Sequence, residues 1–285
     1  MAHGVEWVEP AAGPAGRPEE DVEEQVRELR DQVRRLQEQM TALAAGPKEP
    51  NGRVPTHVAG LDVTLEGGIP RGHVVLLSGP TGAMKTSLAL YMLTRNRAAG
   101  VRGLYVTLEE GRDSIAHTMR RLGLGDTEDF IVDIGRLRLE HAGAEEVRDW
   151  TQILRDYLVR RREREPIGVV VIDSLNALAA LAGIRRPRSE LFHFLNFLRS
   201  LGLTTILIVE RDGPSSPIEE EVDFLADGVL ELRFSGAGQG RVQLLIRCVK
   251  MRHTNHSRDY FVLSFGERRF VARPYGAGPK GWRNR

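Results

Sequence analysis

The chain has 285 residues, 40 Lys and Arg against 39 Asp and Glu for a formal net charge of +1, and 41% hydrophobic residues. That content suits one sizeable α/β core plus an extension, and the near-neutral balance argues against a general nucleic-acid binder, which carries a clear basic excess. No apolar run approaches the ~18 residues of a membrane-spanning helix. No basic-then-apolar leader opens the chain, and Cys248 is the single cysteine. A disulfide within the chain is thereby excluded, and a reducing, cytoplasmic location is expected.

In chain order, residues 1–20 hold Pro10, Pro14 and Pro18 among glycines and alanines, a composition expected to be disordered. Over residues 21–45, Val22, Val26, Leu29, Val33, Leu36, Met40 and Leu43 recur at 4-3 spacing. Val26, Val33 and Met40 take a positions and the others d, a pattern that favours a parallel two-stranded coiled coil. An amphipathic helix lying on its own domain is the alternative, but the narrow stripe, flanked by Glu, Arg, Gln and Asp, favours the coiled coil. Residues 46–52, with Pro47 and Pro50 between glycines, form the expected linker.

The stretch Val74–Leu90 reads as a buried strand, a glycine-bearing turn and a helix. Gly79, Pro80, Thr81, Gly82, Ala83, Met84, Lys85 and Thr86, with Ser87 following, match the phosphate-binding pattern G-x-x-x-x-G-K-[ST] at every fixed position except one: Met84 stands at the second glycine. Backbone N–H groups of such a turn and the positive helix end would face a polyphosphate, Lys85 would reach its β- and γ-phosphates, and the Thr86 hydroxyl would bind Mg²⁺. A left-handed backbone at Met84 is expected to cost about 1–2 kcal/mol, with the side chain turned away onto apolar neighbours. Taken alone, these residues also suit an ordinary strand-to-helix turn with Lys85 in solvent.

Two further strand ends bear on that choice. Gly103–Thr107 is a β-rich run that delivers Glu109 and Glu110, either of which could polarise a water attacking a γ-phosphate. Ile167–Asp173 is an unbroken apolar run, as in a central parallel strand, ending in a carboxylate that could hold the Mg²⁺ shell. Asp173 could instead cap the next helix. Ligands of parallel sheets bind at the carboxyl ends of strands, so three such ends bearing Lys and Thr, paired Glu, and Asp point to an ATP and Mg²⁺ site.

Helices are predicted over Thr86–Ala99, Arg112–Leu122, Ala144–Arg164 and Ser189–Leu201, the last with Leu191, Phe192, Leu195, Phe197 and Leu198 on its buried side. A strand over Thr204–Val209 follows. Residues 210–223 after it are acidic around a single Arg211, which would repel a phosphate backbone. Strands Val229–Phe234, Val242–Val249 and Tyr260–Phe265 leave no room for helices between them and should pair antiparallel. Residues 273–285 read as a flexible basic tail.

Four segments then resemble one family in order. Gly52–Gly72 before the phosphate loop, Thr107-Leu-Glu-Glu110, Phe224–Leu232 and Arg247–His256 are similar to the KaiC-like ATPases of the RecA superfamily. The resemblance spans one ATPase domain over residues 53–272. It implies a RecA-like P-loop NTPase core, with a mostly parallel central sheet, antiparallel C-terminal strands and Glu109 and Glu110 as the catalytic pair. It also implies a homo-oligomeric, hexameric ring with ATP between subunits, in which Arg252 acts as an arginine finger in trans, Lys250 contacts the γ-phosphate and His256 approaches the neighbour's nucleotide less directly. Without the resemblance, Lys250 and Arg252 read as solvent-facing residues of an alternating strand. The family's Arg-Gly-Thr stands here as Arg252-His253-Thr254. The leading expectation is a slow ATPase that couples nucleotide state to a partner, with coiled-coil pairing or an unidentified protein partner expected. A non-hydrolysing nucleotide-dependent scaffold and a RecA/RadA-like DNA-dependent ATPase are the alternatives, with nucleic acid and membrane not expected as partners.

Overall fold

The computed structural model describes residues 52–125, 129–134, 150–184, 186–213, 216–236 and 242–276, together with Arg30. The expected disordered N-terminus, the coiled coil apart from Arg30, the linker up to Asn51 and the tail beyond Gly276 lie outside the described residues. All that follows concerns the unit Ala44–Arg285.

Valine, isoleucine and leucine dominate the central strands, and such runs are stable only when both faces are covered. β3 (Val74–Gly79), β4 (Gly103–Thr107), β5 (Ile131–Asp133), β6 (Val169–Asp173), β7 (Thr204–Glu210) and β8 (Gly228–Ser235) are parallel to one another. β9 (Gln243–Met251), β10 (Phe261–Gly266) and β11 (Arg269–Pro274) extend the sheet antiparallel. The order is β11-β10-β9-β8-β3-β7-β6-β4-β5, so β7 lies between the phosphate-loop strand and the strand ending in Asp173. A separate antiparallel pair, β1 (Arg53–Val54) and β2 (Ile69–Pro70), precedes β3.

Each central strand divides its side chains between two cores, as the two-residue period of a strand requires. Val75 and Leu77 face Leu88, Tyr91 and Met92 of the helix Lys85–Ala98, with Ile115 and Met119 of the helix Arg112–Leu122. Val74 and Leu76 face Leu154 and Leu158 of the helix Trp150–Arg164 and Leu191, Phe194, Leu195 and Leu198 of the helix Pro187–Ser200. Phe192 departs from the expected buried stripe: it is 47% exposed, beside a 580 Å³ cleft that it lines with Pro187 and Leu225. Cys248 is buried as expected of a core residue, and burial pushes its thiol up to about 12, which leaves it unreactive.

Among the elements that escape the sequence reading, three bear on the site and its surroundings. A helix over Leu175–Ala182 follows β6, capped by the Ser174 hydroxyl, which accepts from Ala177 N at 3.1 Å. Residues Pro217–Leu225, within the acidic stretch, form a helix. Its signal is a Ser-Pro-x-Glu start: the Ser216 hydroxyl accepts from Glu219 N at 3.3 Å and donates to Glu219 Oε1 at 3.0 Å, with proline in the first turn. β11 corrects the expected tail boundary, because Arg273 and Pro274 are still paired with β10. The hairpin turns through Glu267 and Arg268 at φ 51° and 59°, a left-handed pair that an Asn-Gly would have announced.

At the amino end of β3, Asp227 gathers the chain. Its backbone N–H donates to Val74 O at 2.8 Å, and its carboxylate accepts from Val74 N at 3.0 Å, Arg199 Nε at 2.8 Å and Arg252 Nη1 at 3.0 Å. Burial acts to raise its proton affinity, but the bonds from Arg199 and Val74 prevail and hold the carboxyl below the usual carboxylate range. A depressed carboxyl contributes stability that is present above its unfolded pKa, ~3.9, and is lost as pH falls through the lower folded value. Asp227→Ala should therefore cost about 2–4 kcal/mol in urea denaturation at neutral pH, where the Arg199 guanidinium is left without its anion. The gap between variant and wild type should narrow below about pH 4; a gap that stays constant into acid would show that the ionised carboxylate is not the source.

Candidate functional site

The carboxyl ends of β3, β7, β6 and β4 lie side by side, and each brings a polar group. After β3 the chain turns through Pro80–Met84 into the helix Lys85–Ala98. Gly79 is needed for close approach, since a Cβ there would meet Leu232 O at 2.7 Å. Gly82 takes φ 79°, and Met84 takes φ 60° and ψ 25°, the left-handed region that glycine fills at least cost. The Met84 side chain is partly buried against the core cluster that includes Leu88 and Tyr91. No side chain caps this helix, and Leu88 N, donating to Met84 O at 2.9 Å, makes a first-turn bond. A helix start without a side-chain cap offers its leading N–H groups and positive dipole end to an anion.

Lys85 is buried, and its Nζ lies along the loop, donating to Gly79 O at 3.0 Å and Pro80 O at 2.9 Å, with Glu210 Oε1 at 3.4 Å. Thr86 Oγ1 donates to Asp173 Oδ2 at 2.8 Å, and the hydroxyl of buried Tyr105 donates to the same oxygen at 2.5 Å. Burial raises the Asp173 carboxyl above its usual range against these two donors. Burial and then the Asp173 charge push the Tyr105 phenol well up, so it stays a donor. Hydroxyl and carboxylate are hard oxygen donors of the kind Mg²⁺ takes, one or two from protein and the rest from phosphate and water. Among the described residues no group of three His, Cys, Asp or Glu is arranged to hold an ion, so an ion here would rest on Thr86, Asp173 and the nucleotide's oxygens.

Glu109 and Glu110 are exposed just past β4. Glu109 Oε1 accepts from Ser174 Oγ at 3.0 Å, which turns it toward the Asp173 strand. Glu110 Oε2 accepts from Ser114 Oγ at 2.8 Å, and its carbonyl accepts from Thr107 Oγ1 at 2.6 Å. The Asp173–Ser174 peptide is cis.

Lys250 and Arg252 are not part of this cluster. They lie where β9 ends against the start of β8, at the amino end of β3, with Arg252 N donating to Asp227 O at 2.8 Å. That is roughly 17 Å from the phosphate loop at ~3.3 Å per residue along β3. Lys250 Nζ donates to the carbonyls of Asp223, Phe224 and Ala226 at 3.0, 3.1 and 2.7 Å, the carboxyl end of the helix Pro217–Leu225. Burial and the adjacent Arg252 guanidinium pull its ammonium below the usual range. The Arg252 side chain is 50% exposed. His253 takes φ 56°, a left-handed backbone that glycine adopts at least cost. His256 is half-buried, its Nδ1 3.0 Å from Ser257 O.

The site contains residues that the sequence reading did not single out. Glu210 ends β7, so the strand-end rule applied to β7 would have found it; Asn176 fixes it by accepting from Glu210 N at 2.9 Å and donating to Glu210 O at 3.3 Å. Asp212 reaches the phosphate loop, Oδ1 accepting from Thr81 N at 2.8 Å and Oδ2 from Thr81 Oγ1. Tyr105 has no sequence signal, because in a strand of five buried residues it reads as core.

Comparison with known proteins agrees with this arrangement. The family described as "ATPase: KaiC" matches residues 54–271. The circadian clock protein KaiC3 of Synechocystis is 29% identical over 73% of this chain. The chain spans less than half the length of such KaiC relatives, 43% of that one. A UPF0273 protein of Thermotoga maritima is 28% identical and is covered over 98% of its length, with 79% of this chain. Among solved structures, a KaiC-like protein from Pyrococcus horikoshii matches with a TM-score of 0.66 and 28% identity, over 78% of this chain and 99% of that one. No helix among the described residues is long and apolar enough to cross a membrane. With a RecA-type sheet, a phosphate loop at its carboxyl edge and a family match over most of its length, the chain belongs to the KaiC ATPase family.

Proposed function

We propose that this chain binds Mg·ATP at the loop Gly79–Ser87 and hydrolyses it slowly, at interfaces of a homo-oligomeric ring, a hexamer, whose nucleotide state is passed to a protein partner. The observation that carries the reading is the convergence of Lys85, Thr86 and Asp173, with the Thr86–Asp173 hydrogen bond at 2.8 Å. Lys85 would exchange its loop carbonyls for the β- and γ-phosphates, and the backbone N–H groups around Gly82–Thr86 would cradle them. Mg²⁺, held by Thr86 and Asp173, would supply charge neutralisation at the phosphates. Glu109, turned toward the Asp173 strand, and Glu110 beside it would orient and polarise the attacking water. Phosphoryl transfer spreads negative charge at its transition state, which positioned cations stabilise. Lys250 and Arg252 lie too far from their own phosphate loop to do this within one subunit, which supports their action on a neighbour's nucleotide, with His256 at the margin of that contact. A cytoplasmic location fits a sequence whose single cysteine rules out an internal disulfide.

The trans assignment has a direct test. Lys85→Ala should abolish binding of ATP by titration, whereas Arg252→Ala should keep binding and lower kcat at least about a hundredfold through lost transition-state stabilisation. Mixed oligomers of the two variants should regain activity, because some interfaces combine an intact loop with an intact arginine. Co-assembly without any recovery would count against the neighbour's arginine; ATP binding without hydrolysis in the wild type would favour a nucleotide-dependent scaffold.

Left-handed Met84 should carry about 1–2 kcal/mol of backbone strain. Met84→Gly is expected to raise the hydrolysis rate several-fold while ATP affinity stays within about twofold, measured by phosphate release and by titration. Loss of ATP binding in that variant would mean that Met84 is part of the site and not tolerated strain.

A further inference from the structure

The carboxylate of Asp212 sits on the backbone of the phosphate loop. Its Oδ1 accepts from Thr81 N at 2.8 Å and its Oδ2 from Thr81 Oγ1, and Asp212 itself is exposed. These bonds, side chain first, hold the carboxyl below the usual carboxylate range, so it is an anion at neutral pH. A negative group from the chain thus rests on a loop shaped for polyphosphate, one residue before the N–H groups that would cradle it, and its charge opposes a second anion there.

Asp212 is also the first link of a bonded series. Its neighbour Arg211 donates from its backbone N to Gly79 O at 3.1 Å and pairs through Nη2 with Asp223 Oδ1 at 2.5 Å. Asp223 lies in the last turn of the helix Pro217–Leu225, and its carbonyl is one of the three that hold Lys250 Nζ. The series runs from Thr81 through Asp212, Arg211 and Asp223 to Lys250, two residues before Arg252. It therefore joins the carboxyl edge of the sheet, where a nucleotide would enter, to the amino edge, where Lys250 and Arg252 lie.

We propose that in the nucleotide-free protein Asp212 is a resident anion on the phosphate loop, and that its expulsion by the polyphosphate of an incoming nucleotide loosens the Arg211–Asp223 pair and the helix Pro217–Leu225, resetting Lys250. The inference rests on the ATP reading of the loop and extends it to communication between the two edges of one subunit. Contiguous bonds make such coupling physically available, and only a perturbation at one end read out at the other establishes it.

The test compares the full chain with Asp212→Asn, using the fluorescent analogue mant-ATP with Mg²⁺ for affinity and amide hydrogen exchange over residues 217–225 for the relay. Asn keeps the size of the side chain but removes the competing charge. The variant should bind mant-ATP about three- to tenfold more tightly, the range expected for one exposed charge-assisted contact. Its nucleotide-free 217–225 segment should exchange as fast as that of the ATP-loaded wild type. Equal affinity in the two proteins would overturn the resident anion. Tighter binding with exchange at 217–225 indifferent to ATP in the wild type would overturn the relay. If neither protein binds mant-ATP, the ATP reading of the loop fails, and the resident anion fails with it.

Discussion

Burial of the central sheet on both faces is the constraint from which the rest of the molecule follows. β3 and β4 are buried along their whole length, and β6 and β7 are buried up to their last residue. A strand in that position can carry ionic chemistry only where it leaves the sheet, because an unpaired charge inside would meet a heavy desolvation penalty. Chemistry is thereby sorted to two edges. The carboxyl edge collects Lys85, Thr86, Asp173, Glu210 and the glutamate pair. The amino edge collects Asp227, Arg199, Lys250 and Arg252. Tyr105 is the exception within a strand, and its hydroxyl is satisfied by reaching diagonally to Asp173 at the end of the neighbouring strand.

The two edges differ in how their charges are held. At the amino edge, Asp227 is surrounded by arginine and backbone donors that fix it as an ion, and the pairings also anchor the start of β3. At the carboxyl edge, Lys85 rests on carbonyls and a partly exposed glutamate. Those are interim partners that a polyphosphate can replace, since a lysine ammonium gains more from a phosphate than from neutral carbonyls. The first arrangement suits a structural hub and the second a lysine that can change partners.

Backbone strain recurs at both edges. Met84, where the phosphate-loop pattern has glycine, and His253 after Arg252 each occupy the left-handed region. Neither fold nor turn is lost, because the surrounding structure over-determines the conformation: Met84 is held by the first turn of its helix and by packing on the core, and His253 by its ring contact with His73 and by Arg53 Nη2, which donates to His253 O at 3.1 Å. Strain of this kind is sustained at functional turns when neighbouring contacts fix both sides of the residue.

The sequence by itself determined the class of fold and singled out Lys85, Thr86 and Asp173, which the structure brings together at adjacent strand ends, because unbroken apolar runs and the glycine-lysine-threonine pattern are local and one-dimensional. It also located the antiparallel closing strands, from connections too short for helices. It did not yield the helix Pro217–Leu225, whose acidic residues masked a Ser-Pro-x-Glu start, or the β10–β11 turn, built from Glu267 and Arg268 where glycine or asparagine would be expected. Only the tertiary structure decided that β7 separates β3 from β6, and hence that Glu210 enters the site between Lys85 and Asp173. It alone brought Tyr105 to Asp173, Asp212 to Thr81 and Lys250 to the end of a helix 25 residues earlier in the chain. Those pairings depend on strand order and register, which arise from packing between segments far apart in sequence, and a local pattern carries no record of them.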